Sequence, residues 1–184
     1  GNTRFTFECT PGSSYEFVLS ATYRGRTLTL DTLTFSADRP KYVIASVDDL
    51  YKLVRYKEAD FVVTADLDIP DNTDVVRSDR YPFNGTIDFQ SHKVSITCSS
   101  SSTRIFRTLG SAAVLENLEF CPRIDTTVER RRLSYVYPLA YDNYGIVQNI
   151  LINLDLGSGY YQKNECSALF RNNFGTIENF ALYY

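Results

Sequence analysis

At 184 residues, 43% of them hydrophobic and 14% aromatic, the chain can bury a sizeable core as one domain, or as one domain and a fragment of a second. The formal net charge is −3 and the basic residues are scattered apart from ERRRL at 129–133, so the long-range attraction that nucleic-acid binding needs is missing. No run of about 18 apolar residues offers a membrane span, and the N-terminus lacks the basic-then-apolar layout of a signal peptide. With no methionine anywhere, the chain is expected to be a piece of a longer protein.

The first forty residues alternate apolar and polar: RFTFECT, SYEFVLSATY and RTLTLDTLTFSA, broken by Pro11-Gly12 and by Arg24-Gly25-Arg26. This period of two predicts three antiparallel strands. Three strands make a poor independent domain, because one face needs a partner sheet. The stretch SSYEFVLSATYRGRTLTLDTLTFSA resembles the closing strands of a fibronectin type III or related immunoglobulin-like sandwich, which implies a small antiparallel β-sandwich-like segment over residues 1–40.

Residues 41–184 form the second part. Ser46 reads as an N-cap, Asp48 and Asp49 suit the positive end of a helix dipole, and Val47, Leu50, Leu53 and Val54 share one face. A short helix is predicted over about 47–56. After it, Phe61, Val63, Ala65, Leu67 and Ile69 alternate with Thr64, Asp66 and Asp68, predicting one strand that Pro70 ends.

A repeat occupies the region beyond Tyr81. AVLENLEF (113–120), GIVQNILI (145–152) and GTIENFAL (175–182) align, placing asparagines at 117, 149 and 179. Upstream, RIFRTLG, LAYDNYG and ALFRNNFG form a second register, with Phe106 and Phe170 beside an arginine. Such a unit cannot bury its own apolar face, so copies must stack, and short parallel strands that stack give a parallel β-helix. Asn117, Asn149 and Asn179 then read as a ladder: asparagine tolerates the left-handed turn conformation, and its amide reaches the asparagine of the next coil. Gly145 and Gly175, at the preceding corner, are expected to serve the same tight turn.

DFVVTADLDI, FNGTIDFQSHKV, IFRTLGSAAVLENLEF and ALFRNNFGTIENF together resemble GLUG-type β-helix repeats, in which a capping helix precedes the first coils. The likeness runs over about residues 43–184. It implies an all-β chain: a right-handed parallel β-helix of three to four coils with a short capping helix. Similar regions occur in bacterial surface proteins and in the non-catalytic N-terminal part of immunoglobulin A protease family members. The resemblance therefore implies an extracellular or cell-surface, non-catalytic module for adhesion, spacing or display. The sequence departs from the pattern at Phe89 and Gln90 before His92, at Ala113 where glycine is usual, and at Ala140 where phenylalanine is usual.

His92 is the only histidine, and no G-x-S-x-G or HExxH motif surrounds a candidate nucleophile or metal. The carboxylates of DLDIPDNTD (Asp66, Asp68, Asp71, Asp74) resemble a calcium loop, but Pro70 takes a ligand position and the turn glycine is missing. Cys9, Cys98, Cys121 and Cys166 lie far apart with no CxxC pair, which disfavours zinc; buried thiols are favoured over a disulfide framework. Asn84-Gly85-Thr86 matches a glycosylation acceptor and carries little weight in a bacterial setting.

A polysaccharide-active enzyme needs acids converging across neighbouring coils, whereas the outward positions read Glu116 and Glu119, Gln148 and Leu151, Glu178 and Ala181. Tyr135, Tyr137, Tyr160 and Tyr161 fall in insertions between coils. There they either bind a host glycan or a surface protein, or cover apolar coil edges. The sequence implies no cofactor, no metal and no nucleic-acid partner.

Overall fold

A computed structural model describes residues 8–10, 12–70, 74–76, 81–98, 103–124, 135–155, 165–167 and 169–183, with 74–76, 124, 135 and 165–166 described by their backbone alone. The chain is mostly β with one short helix, and it divides into two compact units, Gly1–Pro40 and Lys41–Tyr184. Among the described residues no helix is long and apolar enough to cross a membrane.

The first unit is an antiparallel hairpin of β1 (Ser14–Tyr23) and β2 (Arg26–Ser36). Arg24 and Gly25 form its two-residue turn with φ of 49° and 75°, the left-handed pair that matches the twist of the flanking strands. Tyr15 and Phe17 both stack on Phe35, at centroid distances of 5.4 and 5.5 Å. A bulge at Leu19/Ser20 shifts the register midway. Of the three expected strands two form one antiparallel two-stranded sheet, while Glu8–Thr10, the end of the expected first strand, is not strand. The remainder of RFTFECT lies outside the described residues. Leu28, Leu30 and Leu33 are accordingly exposed.

In the second unit every strand pairing among the described residues is parallel. The strands in chain order are β3 (Lys41–Ile44), β4 (Asp60–Val63), β5 (Leu67–Ile69), β6 (Asp74–Val76), β7 (Thr86–Asp88), β8 (Lys93–Cys98), β9 (Arg104–Leu109) and β10 (Val114–Ile124). They continue as β11 (Tyr135–Val136), β12 (Ala140–Asn143), β13 (Ile146–Asn153), β14 (Glu165–Cys166), β15 (Phe170–Asn173) and β16 (Thr176–Tyr183). One sheet runs β16-β13-β10-β7-β4-β3, with β8 alongside β10 and β5 alongside β8. A second runs β15-β12-β9-β6, and β11 pairs with β14. Successive repeats therefore return the chain to the same sheet one strand further on.

The interior is one apolar cluster extending from Ile44 to Phe170. Through it runs a file of rings: Tyr56 on Tyr42 (4.3 Å), Tyr42 on Phe61 (5.6 Å), Phe61 beside Phe83 (6.0 Å) and Phe83 beside Phe106 (5.3 Å). The alternation of Phe61 to Ile69 persists, but as two strands rather than one. β4 pairs with β3 and β7, while β5 pairs with β8, and residues 64–66 turn between them. Phe61, Val63, Leu67 and Ile69 are all buried, so burial keeps its period of two across the corner and hides it from the sequence pattern.

The predicted helix is a 3-10 turn, Val47–Leu50, followed by α1 (Tyr51–Arg55). Leu50 and Leu53 are buried and Val47 packs partly against the core, but Val54 is 44% exposed, because the tighter first turn rotates it off the shared face. Asp49 reaches back to the helix start: its Oδ2 accepts from the backbone N–H of Ala45 (2.9 Å) and of Ser46 (3.1 Å), and its Oδ1 lies 2.7 Å from Lys52 Nζ. The hydrogen bond from Lys52 and then that from Ala45 hold the Asp49 carboxyl at about 2, below its ordinary 3.8. Its stabilising effect is thus complete above the unfolded value and is lost as pH falls through about 2. In urea unfolding from about pH 5 downward, Asp49→Asn should be less stable than the parent near pH 5, and the gap should close toward pH 2. A gap independent of pH would contradict this role.

Gly145 and Gly175 do not have left-handed φ, so they are not there for tight turning as expected. Space is the reason. A Cβ on Gly145 would sit 2.5 Å from the Ala113 carbonyl oxygen, and one on Gly175 would sit 2.1 Å from that of Gly145. The same carbonyls accept the backbone N–H of Ile146 and Thr176, at 2.9 Å each, so the backbones must approach closely at this corner. Gly145→Ala should cost about 1–3 kcal/mol in chemical denaturation, whereas Gly25→Ala meets no atom within 4 Å and is strained only by its φ of 75°.

Candidate functional site

The repeated asparagines sit inside β10, β13 and β16, at left-handed φ of 57°, 55° and 50°. Each bends its strand at one residue, and the parallel ladder skips that residue on both sides. Asn149 Nδ2 donates to Asn117 Oδ1 at 3.0 Å, and Asn179 Nδ2 donates to Asn149 Oδ1 at 3.1 Å. Asn117 Nδ2 in turn donates to Asp88 Oδ1 at 3.0 Å. One repeat earlier the corner is longer: Gln90 and Ser91 take φ of 50° and 63°, Asp88 Oδ1 accepts from Gln90 N–H (2.9 Å), and Ser91 N–H bonds the Asn117 carbonyl (2.7 Å). Phe89 is buried there, so its ring belongs to the core.

A second polar column escaped the sequence reading. Asn143, fully buried, donates through Nδ2 to Asn173 Oδ1 at 2.7 Å and accepts the Gly145 N–H at 3.1 Å, while Asn172 Nδ2 donates to Asp142 Oδ1 at 2.8 Å. The signal was present in the paired DN and NN of LAYDNYG and ALFRNNFG.

His92 is part of this corner chemistry. Its Nδ1 lies 3.3 Å from Asp66 Oδ1, which also accepts the Lys93 N–H at 2.9 Å. The Lys93 N–H first, and His92 second, draw the Asp66 carboxyl below its ordinary value. Asp68 is exposed on β5, Asp74 is described by its backbone alone and Asp71 lies outside the described residues. Among the described residues no cluster of three His, Cys, Asp or Glu side chains could hold a metal ion. Cys98 and Cys121 are buried and Cys9 is exposed. Burial pushes the Cys121 thiol up, and it faces Glu119 Oε1 at 3.8 Å.

The outward acids fall in register as Glu116, Gln148 and Glu178, and as Glu119, Leu151 and Ala181. Gln148 Nε2 donates to Glu116 Oε2 at 2.8 Å, so an amide separates Glu116 from Glu178 along that column.

Of the four tyrosines singled out, Tyr160 and Tyr161 lie outside the described residues, and Tyr135 is described only as backbone of β11. Tyr137 takes the second of its two readings: it is 6% exposed and packs edge-on against Tyr141 at 6.1 Å, covering apolar surface and not standing out on a loop. Its partner Tyr141 is half-buried on β12. The guanidinium carbons of Arg107, Arg171 and Arg104 lie 4.3, 4.8 and 5.3 Å from its ring centre. Arg107 and Arg171 come from β9 and β15, which flank β12, because Ala140 pairs with both Phe106 and Phe170. Arg104 is buried, whereas Arg107 and Arg171 place on either side of the ring the planar donors that carboxylates and sulfates accept. Comparison with family models, with curated proteins and with solved structures found no match to this chain.

Proposed function

We propose that residues 41–184 wind as a right-handed parallel β-helix of the GLUG-repeat type and act as a non-catalytic scaffold of a secreted or surface-anchored bacterial protein, spacing or displaying other elements. The observation that carries this reading is the asparagine column. The recurring polar groups of the repeat are spent on one another, at 3.0 and 3.1 Å across adjacent strands, rather than aimed at a shared point in solvent. Parallel pairing through all the repeats, with the chain returning to the next strand each time, fits such winding, and parallel crossovers are right-handed as a rule. The rival reading, a polysaccharide-active enzyme, needs two acids facing one substrate atom. The Glu116–Gln148 hydrogen bond argues against that pairing.

The test is incubation of the chain with neutral and acidic polysaccharides, reading new reducing ends and unsaturated uronates. The expected result is no turnover. Cleavage abolished by Glu116→Gln or Glu178→Gln would overturn the scaffold reading.

One observation favours a binding role within the same scaffold, namely the stripe of Arg107, Tyr141 and Arg171. Its chemistry suits an acidic host glycan or an acidic surface protein. On a glycan array, acidic sugars should be retained by the parent and lost by Arg171→Ala and Tyr141→Ala. Retention lost instead in Tyr160→Ala and Tyr161→Ala would move the site to the inter-coil loops. Silence across the array would leave spacing and display.

A further inference from the structure

The Arg107–Tyr141–Arg171 stripe has a second row beside it. Ala140 and Asn143 are fully buried, yet the two residues between them, Tyr141 and Asp142, are both half-buried. β12 therefore leaves two consecutive side chains partly open to solvent. Asp142 is in register with Thr108 on β9 and with Asn172 on β15, both half-buried as well. One residue on, about 3.3 Å along the strands, the row of arginine, tyrosine and arginine gives way to a row of threonine, aspartate and asparagine. β12 has a strand on either side, so both of its neighbours fix where Tyr141 and Asp142 stand.

Asn172 Nδ2 donates to Asp142 Oδ1 at 2.8 Å, which orients the carboxylate, and among the described residues nothing bonds its Oδ2. A carboxylate with one oxygen held and the other open accepts hydroxyl hydrogens and repels a second carboxylate. Beside guanidinium groups that donate to anions, it divides acidic ligands into two classes. An acidic sugar carries ring hydroxyls next to its carboxylate or sulfate, so it satisfies both rows. An acidic side chain of a protein has no donor next to its carboxylate, and it meets Asp142 with like charge. We propose that Asp142 makes the stripe selective for an acidic saccharide over an acidic protein. The guanidinium groups that flank Tyr141 take the carboxylate or sulfate, and Asp142 accepts the neighbouring hydroxyl. This rests on the binding role of the stripe and specifies its ligand.

The test is isothermal titration of the full chain, at one fixed salt concentration, with oligogalacturonate, with a chondroitin sulfate oligosaccharide and with an oligoglutamate peptide of equal charge. In the parent, at least one of the two saccharides should bind about tenfold or more tighter than the peptide. In Asp142→Asn that ratio should fall by about tenfold, because the amide accepts the hydroxyl less strongly and no longer repels the peptide. The variant keeps an oxygen for the Asn172 amide, so its circular dichroism should match the parent's. In Arg171→Ala, saccharide and peptide should weaken together. A parent that binds the peptide as tightly as both saccharides, or a folded Asp142→Asn with an unchanged ratio, would overturn the selectivity and leave the stripe as a general acidic site. No saturable binding of any of the three would overturn the selectivity and the binding role together.

Discussion

Replacing Phe83 by alanine is expected to lower the unfolding free energy by about 3–5 kcal/mol, the largest single effect in this molecule. Phe83 is fully buried, and its ring lies between those of Phe61 and Phe106 in the file that links β4, β9 and the segment before β7. Removing it leaves a cavity that the flanking backbone cannot close. That backbone is fixed on both sides of the ring: Phe83 N–H bonds the Thr108 carbonyl at 3.1 Å and Gly110 N–H bonds the Phe83 carbonyl at 2.8 Å. The control is Phe174→Ala. Phe174 also stacks on a ring, that of Tyr144 at 4.9 Å, but it is 64% exposed, and its loss should cost about 1 kcal/mol or less. Urea unfolding of both variants should separate them clearly. Equal costs would mean that the ring file does not organise the core.

The second large effect is expected at Asn149, the middle member of the column. Alanine there must hold a left-handed φ of 55°, at about 1–2 kcal/mol, and it forfeits one donated and one accepted hydrogen bond, each about 0.5–1.5 kcal/mol. The sum is about 2–5 kcal/mol. Glycine relieves the backbone term but not the hydrogen bonds, so Asn149→Gly should fall between the parent and Asn149→Ala. Asparagine's role here is both conformational and cohesive, and the ordering of these two variants in chemical denaturation separates the terms. A glycine variant as stable as the parent would show that the amide bonds add nothing.

Much of this was legible in the sequence wherever one residue type had one task. Asn117, Asn149 and Asn179 stood out because a left-handed corner in a strand admits few residues, and their spacing of 32 and 30 is the spacing of the hydrogen bonds. The helix start was legible from Ser46 and Asp49 for the same reason.

The corner at 64–66 was not legible, because Phe61 to Ile69 alternate without interruption through it. Gly145 and Gly175 were noticed but misassigned: sequence shows that a side chain is missing, not whether φ or a neighbouring carbonyl requires it. Tyr137 was left with two readings because its neighbours resemble a loop, while the residue that it packs against, Tyr141, lies on a strand that only the pairing with β9 and β15 reveals. The Arg107–Tyr141–Arg171 stripe is of the same kind. Its members sit in three aligned segments, but arginine, tyrosine and arginine do not look like a repeat until their strands are laid side by side.

The repeat's recurring polar residues hold adjacent strands to one another. A double-mutant cycle on Asn117 and Asn149 tests it most directly, comparing the urea unfolding free energies of the parent, Asn117→Gly, Asn149→Gly and the double variant. Because Asn149 Nδ2 donates to Asn117 Oδ1 at 3.0 Å, the two substitutions should be non-additive, with a coupling of about 0.5–1.5 kcal/mol. Strict additivity, with each glycine acting alone, would contradict the account.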